Sequence, residues 1–170
     1  MIRVAKTSDI KQIIKVCKEA HQLSISKDVP LDDKILWKNL QVCILSAEHQ
    51  VNVVDVAGSV EGVFIGVTHQ LWYSRKKQST DLFFYVTDKG RGWGSSLLRA
   101  YIRWARMNKG VAEITLGITS GIGDMNRTRQ LYERMGAIKI GDSFIFPQGG
   151  IDGRNSKIYR KGYKRNREKA

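Results

Sequence analysis

Residues 88–100 read DKGRGWGSSLLRA. One residue upstream, beyond Thr87, ends the apolar run Phe83-Phe84-Tyr85-Val86. Glycines stand at 90, 92 and 94, with Lys89 and Arg91 on either side of the first. After them Leu97, Leu98, Tyr101, Ile102 and Ala105 recur at helical spacing and, with Trp93, mark an apolar face. The text is a strand, a glycine turn and a helix. Glycines let successive N–H groups turn to one side. The first N–H groups of a helix have no internal partner and carry the positive end of its dipole. The amides of Gly90, Arg91, Gly92, Trp93, Gly94 and Ser95, with the charge of Lys89 and Arg91, are therefore an expected site for a phosphate or pyrophosphate. The stretch lacks the Gly-Lys-Ser/Thr ending of a P-loop. It also lacks the third glycine and the later acidic residue of a dinucleotide fingerprint. A tight turn that holds nothing is the plain alternative.

Outward from this stretch the chain alternates strands and helices. Ile2-Arg3-Val4-Ala5 reads as a short strand, and Asp9–Leu23 as a helix capped at Thr7 or Ser8. Leu31–Ser46 repeats the helical period. Gln50–Ala57 and Gly62–Trp72 read as strands, with Ser59–Gly62 as the turn between them. Ser79–Val86 is nearly continuous in apolar residues, as a strand covered on both faces would be. The helix after the glycines runs to about Asn108 and stops at Gly110. Ala112–Ile118 reads as a strand, Asp124–Met135 as a helix ended by Gly136, and Ala137–Phe146 as a strand. A glycine-rich loop, PQGGIDGRN, and a short strand at Lys157–Arg160 follow.

The expected organisation is one domain over residues 1–153 and a basic strand or tail over 154–170. With 42% hydrophobic and 26% charged residues the composition is that of a globular protein with a core of its own. No apolar run is long enough to span a membrane, and the first residues have no signal-peptide core. Cys17 and Cys43, each among apolar neighbours, read as reduced thiols of a cytoplasmic protein, a disulfide being the alternative. The three histidines and two cysteines show no metal-ligand spacing, so no metal is expected. The net charge of +13 favours an anionic partner: a phosphorylated cofactor, nucleic acid or an acidic protein surface. The tail, RNSKIYRKGYKRNREKA, is a solvated end or an arm that touches phosphates. LWYSRKKQS, residues 71–79, sets aromatic beside basic residues, a pattern shared by nucleic-acid binders and by polar hairpin turns. Monomer and homodimer both remain open.

The segment KGRGWGSSLLRAYIRWA resembles motif A of the GCN5-related N-acetyltransferases, Arg/Gln-x-x-Gly-x-Gly/Ala, with Gly92 and Gly94 on the glycine positions and Lys89 in place of the usual Arg or Gln. MNRTRQLYERMGA resembles their motif B through Leu131, Tyr132, Glu133 and Gly136, with Asn126 six residues before the tyrosine where the family more often has seven, and Ala137 in place of the usual Phe. The resemblance extends over residues 1–146. It implies an α/β (α+β) fold with a mixed, mostly antiparallel central sheet of six to seven strands flanked by about four helices. It further implies acetyl-CoA as co-substrate and transfer of its acetyl group to an amine.

In such a fold the pyrophosphate of CoA lies on the Gly90–Ser95 amides, and Asn126 belongs to the cofactor site. The pantetheine arm pairs like an added strand with the backbone of Phe84, Tyr85 or Val86, where FFYV and AEITLGI splay apart. Tyr132 matches the general acid that protonates the leaving thiolate; its spacing with Met125, Thr128, Leu131 and Met135 also suits a core aromatic. The candidate general base is Asp81, with Glu113, Gln78, His69 and a water relay as alternatives. Asp81 and Glu113 also read as solvated strand ends. The acceptor would meet residues 23–33 and 147–155. There Asp28, Asp32 and Asp33 are candidates for holding a cationic amine, or for capping a helix. The competing function is a basic nucleic-acid-associated or CoA-binding protein without turnover.

Overall fold

The computed structural model describes residues 1–119 and 121–141. They fall into two compact units, Met1–Glu19 with Leu31–Gly117, and Ala20–Pro30 with the chain from Ile118 onward. Among the described residues no helix is long and apolar enough to cross a membrane.

The first unit is built on a five-stranded sheet in the order β1 (Ile2–Val4), β2 (His49–Val56), β3 (Ser59–Gln70), β4 (Lys77–Val86) and β5 (Val111–Thr115). The first four pair antiparallel with their neighbours, and β5 runs parallel to β4. One face is covered by α1 (Ile10–Leu23), whose last turn belongs to the second unit, and by α2 (Asp33–Leu45). Ile10, Ile13, Val16 and Cys17 of α1 and Leu40 of α2 meet Val51, Val53, Val63 and Ile65 there. On the alternate side chains of β3, Phe64 stacks on Tyr101 of α3 (Gly94–Met107) with ring centroids 4.3 Å apart. Both cysteines are free thiols, and burial raises that of Cys17 to a pKa of about 12.

The mixed, mostly antiparallel sheet and the helix order follow the sequence-based expectation, and several local details differ. The Thr7–Asp9 segment is a 3₁₀ turn, not a Thr or Ser cap. The carboxylate of Asp9 accepts the Lys6 N–H at 2.7 Å, and Arg3 pairs with Asp9 and Asp55 at 2.7 and 2.8 Å. Ser59–Gly62, expected to turn, already lies in β3. The reversal is at Ala57-Gly58, with φ of 51° and 84°, as a two-residue hairpin turn requires. Asp55 closes it by accepting the Gly58 N–H at 2.8 Å. Asp32 caps α2 through the Lys34 and Ile35 N–H groups, and Asp33 pairs with Lys18 at 2.7 Å.

The strand covered on both faces is β3, not β4. Phe83 to Val86 are only half-buried, and Leu82 is exposed. β5 ends at Thr115, short of the expected Ile118. Five strands and four α-helices are present among the described residues, against six to seven strands and about four helices expected. Residues 137–141 carry no strand. The rest of the expected Ala137–Phe146 strand lies outside the described residues, as do the 147–155 loop, the Lys157–Arg160 strand and the basic tail.

In the second unit, Asp124 caps α4 (Met125–Arg134) by accepting the Asn126 and Arg127 N–H groups at 2.9 and 3.4 Å. Gly136 ends it with φ of 89°, its N–H on Glu133 O at 2.9 Å.

Candidate functional site

The site begins where β5 leaves β4. Their pairing runs from Lys77 with Val111 to Thr80 with Thr115 and stops. At the next residue the carboxylate of Asp81 accepts the Gly117 N–H at 2.8 Å, so the diverging chain is held by a side chain instead of a ladder bond. On the other side of β4 the register slips at the same level: Asp81 faces Gly66 and Phe83 faces Ile65, which leaves Leu82 as an extra residue. Such a bulge bends the strand and raises its twist.

From there β4 has a neighbour only in β3 among the described residues. Thr87 N–H reaches Glu61 O at 2.9 Å, and Val86, Tyr85 and Phe84 lie opposite Gly62, Val63 and Phe64. Backbone groups alternate in direction along an antiparallel strand. Phe83 and Tyr85 therefore bond to β3, while the N–H and C=O of Phe84 and Val86 point to the open edge. Of the three residues expected to meet an extended ligand, Phe84 and Val86 are suitably directed. Tyr85 instead sends its hydroxyl to Glu19 at 2.9 Å, on the α1 face; burial and that carboxylate raise its pKa.

The open edge leads into the glycine loop. Thr87 anchors it: its hydroxyl donates to Glu61 Oε2 at 2.6 Å and accepts the Gly90 N–H at 3.3 Å. That hydroxyl, with Ser59, holds the Glu61 carboxyl below the usual carboxylate range. The amides of Gly90, Arg91 and Trp93 close the turn on Thr87, Asp88 and Gly90 oxygens at 3.0, 3.2 and 3.1 Å. Among the described hydrogen bonds none engages the N–H of Gly92, Gly94, Ser95 or Ser96. The donor set is thus narrower than Gly90–Ser95 at its start and one residue longer at its end. Ser96 is the omission from the sequence reading; a helix starting at Gly94 leaves its amide unpaired as well.

The glycines differ in purpose. A Cβ on Gly90 would lie 2.4 Å from Glu61 O, so that position is filled by packing. Gly92 has φ of 95° and open space where a Cβ would be, and a Cβ on Gly94 would meet only Phe84 Cζ, at 3.7 Å. Unpaired amides with open space before them, flanked by the exposed cations of Lys89 and Arg91, suit an anion such as a pyrophosphate.

No family model and no curated protein matches the sequence. Solved structures do. Ribosomal-protein-alanine N-acetyltransferase from Brucella melitensis biovar Abortus is 15% identical, with 86% of this chain and 99% of that chain covered and a TM-score of 0.64. A GNAT family acetyltransferase of Staphylococcus aureus is 17% identical, covering 86% and 97%, with a TM-score of 0.60. Glucosamine-6-phosphate N-acetyltransferase from Arabidopsis thaliana is 13% identical, covering 88% and 98%, with a TM-score of 0.68. The fold is that of the GCN5-related N-acetyltransferases.

Of the residues that the GCN5-related resemblance marks, the first unit gathers Asp81, Phe84, Val86, Lys89 and Gly90–Ser95 along one strand edge and its loop. Asp81 is partly exposed and accepts the Gly117 N–H; burial raises its carboxyl pKa, against the lowering effect of that N–H. Glu113 and Gln78, the alternative bases, bond each other at 3.3 Å on the surface. His69 is exposed near the end of β3. Tyr132 and Asn126 lie on α4, in the second unit, Tyr132 buried and Asn126 exposed.

Proposed function

We infer that the chain is an acetyl-CoA-dependent N-acetyltransferase acting on a primary amine. The observation that carries this reading is the continuity of two kinds of unpaired backbone. The open edge of Phe84 and Val86 suits an extended, amide-bearing arm. It leads straight to the free amides of Gly92, Gly94, Ser95 and Ser96, which suit a pyrophosphate. One ligand with both features in that order is a CoA thioester. The fold shared with the acetyltransferases above supports the same reading.

Bound there, acetyl-CoA supplies an activated acetyl thioester. The chain's own work is holding and proton handling. Phe84 and Val86 orient the arm, and Lys89 and Arg91 add charge beside the amides. An amine must be neutral to attack, yet a lysine side chain has a pKa of about 10.4 and an α-amine one of about 7.7–8.0. Asp81 receives the amine proton at its carboxylate; burial makes that carboxylate a better base than an exposed one. The motif B resemblance gives Tyr132 Oη the donation of a proton to the leaving sulfur, whose thiol pKa is about 8.5, and gives Asn126 a part in holding the cofactor. The net charge of +13 favours an acidic acceptor, with the 154–170 tail as a docking arm. The free thiols suit the cytoplasm.

The test is calorimetric titration of nucleic-acid-free protein with acetyl-CoA at low and moderate salt. One-to-one micromolar binding that survives salt is expected, because backbone amides rather than many cations hold the ligand. Absence of binding at both salts would leave the glycines as a turn and end this reading.

A further inference from the structure

At the other end of β4, away from the glycine loop, the chain makes a second surface. The turn from β3 to β4 reads LWYSRK, residues 71–76. It is firmly built. Leu71 is buried, and its N–H bonds Lys76 O at 2.9 Å. The Ser74 N–H bonds Leu71 O at 3.2 Å, and the Lys76 N–H bonds Ser74 Oγ at 3.1 Å. Gln70 Nε2 reaches Ser74 O at 3.1 Å. Yet the turn holds its two large rings in water: Trp72 is 93% exposed and Tyr73 62%. They touch each other edge to face, with centroids 5.5 Å apart, so one face of one ring is covered by its neighbour and the other broad faces stay open.

Cations lie on the same turn and on the segment beside it. Arg75 and Lys76 are on the same turn, both exposed. The Lys77 N–H bonds Gly110 O at 2.8 Å, which brings the turn after α3 alongside, with Lys109 in it and Arg106 in the last turn of the helix. None of Arg75, Lys76, Arg106 and Lys109 has an acidic partner among the described residues; Lys77 meets Glu48 at 3.4 Å. A rigid turn that keeps two aromatic faces open beside unpaired cations has a specific complement: flat π-faces joined by anions.

We propose that this end of the sheet binds single-stranded nucleic acid, with bases stacked on Trp72 and Tyr73 and phosphates on Arg75, Lys76, Arg106 and Lys109. An acidic peptide would use the cations and leave the rings idle. A duplex hides its base faces, so the rings would gain nothing from it. A bilayer would call for more apolar surface than the polar neighbours Gln70 and Ser74 give. The surface is separate from the glycine loop, so the proposal stands or falls without acetyl transfer.

The test is fluorescence anisotropy of a labelled oligothymidylate, and of a duplex of equal length, with the full chain and no acetyl-CoA, over a range of salt. The paired substitution Trp72→Ala and Tyr73→Ala changes no charge. It should weaken single-strand binding at least about fivefold and leave the salt slope unaltered. Arg75→Ala with Lys76→Ala should flatten the slope by about 1.4, two phosphates' worth on a single strand. Lys11→Ala with Lys15→Ala on α1 removes the same charge away from the rings and should leave single-strand affinity and its salt slope close to the parent's. The rings are exposed, so thermal melting should match the parent and separate lost binding from lost fold. Undiminished single-strand affinity in the aromatic variant would overturn the proposal. So would tighter binding of duplex than of single strand, or an aromatic-dependent affinity for anionic vesicles with none for the oligonucleotide.

Discussion

Residues 77–80 of β4 have a strand on each side, whereas residues 81–86 have one only in β3 among the described residues. The paired half is mostly polar, Lys-Gln-Ser-Thr, and the unpaired half is the apolar Leu-Phe-Phe-Tyr-Val. That is the reverse of what burial alone would write. The apolar half is only partly covered, and its strand edge is open. Asp81 stands at the junction, where its carboxylate replaces the ladder bond that β5 no longer makes. On the function proposed above, hydrophobic text in this strand marks the surface for the cofactor, and polar text marks the scaffold that holds it.

Glycines in the two halves should respond in opposite ways. A Cβ at Gly92 would meet no protein atom within 4 Å, so the cost of Gly92→Glu in stability should be mainly the left-handed backbone, about 1–2 kcal/mol. Its carboxylate enters the space before the free amides, and acetyl-CoA binding should be lost outright. Calorimetry and a thermal melt on one sample read both effects. Normal acetyl-CoA affinity in this variant would detach the loop from the cofactor.

At the junction, Asp81→Asn separates a base from a bracket. An asparagine oxygen still accepts the Gly117 N–H, so the divergence of β5 should persist. The folded chain holds a proton on Asp81 more tightly than the unfolded chain does. Stability therefore falls as pH rises from the ordinary carboxylate range to the raised one, and Asn removes that dependence. At neutral pH the variant should be as stable as the parent or more so, while turnover drops about 10²–10⁴-fold. Tyr132→Phe should likewise lower turnover with acetyl-CoA affinity intact. Full turnover in Asp81→Asn would leave Asp81 as a bracket only.

Much of this was legible in the sequence, for identifiable reasons. Helical periods located α1, α3 and α4, and the strand-glycine-helix order placed the loop. What stayed hidden depends on partners distant in the chain. The Leu82 bulge exists only relative to β3, and so does the alternation that turns Phe84 and Val86, but not Tyr85, to the open edge. Asp81 reads as a strand end until Gly117 is seen to bond it. The Ala57-Gly58 turn was missed because alanine seldom adopts positive φ. Thr87 was unremarked, although a threonine three residues before a glycine amide is a cap signal.

In the scaffold a glycine should fail by collision. A Cβ on Gly66, opposite Asp81, would lie 2.2 Å from Tyr101 Cε2. That ring cannot retreat. It stacks on Phe64 and bonds Ser79 Oγ at 2.7 Å, and burial pushes its hydroxyl pKa up to about 12. Gly66→Ala should cost about 3 kcal/mol of overpacking, measured by urea unfolding. Loss of acetyl-CoA affinity should follow only as far as the folded fraction falls.

The smallest effect should come from the residue that joins β4 to the glycine loop. Thr87→Val keeps shape and removes the hydroxyl that donates to Glu61 and accepts from Gly90. At neutral pH that should cost about 1–2 kcal/mol, because Glu61 keeps only the Ser59 hydroxyl among its side-chain donors. The Glu61 pKa is depressed in the folded chain, so the stabilisation is present above the ordinary glutamate pKa and fades as pH falls through the folded value. The parent and the variant should therefore converge in stability toward acid, and urea titrations at neutral and acid pH read the gap directly. Acetyl-CoA affinity should weaken severalfold, since Gly90 loses one of two acceptors and the Gly92 amide rides on that turn. A gap that stays constant with pH would mean that Glu61 and Thr87 are not coupled through the carboxylate, and that the loop is held by its backbone bonds alone.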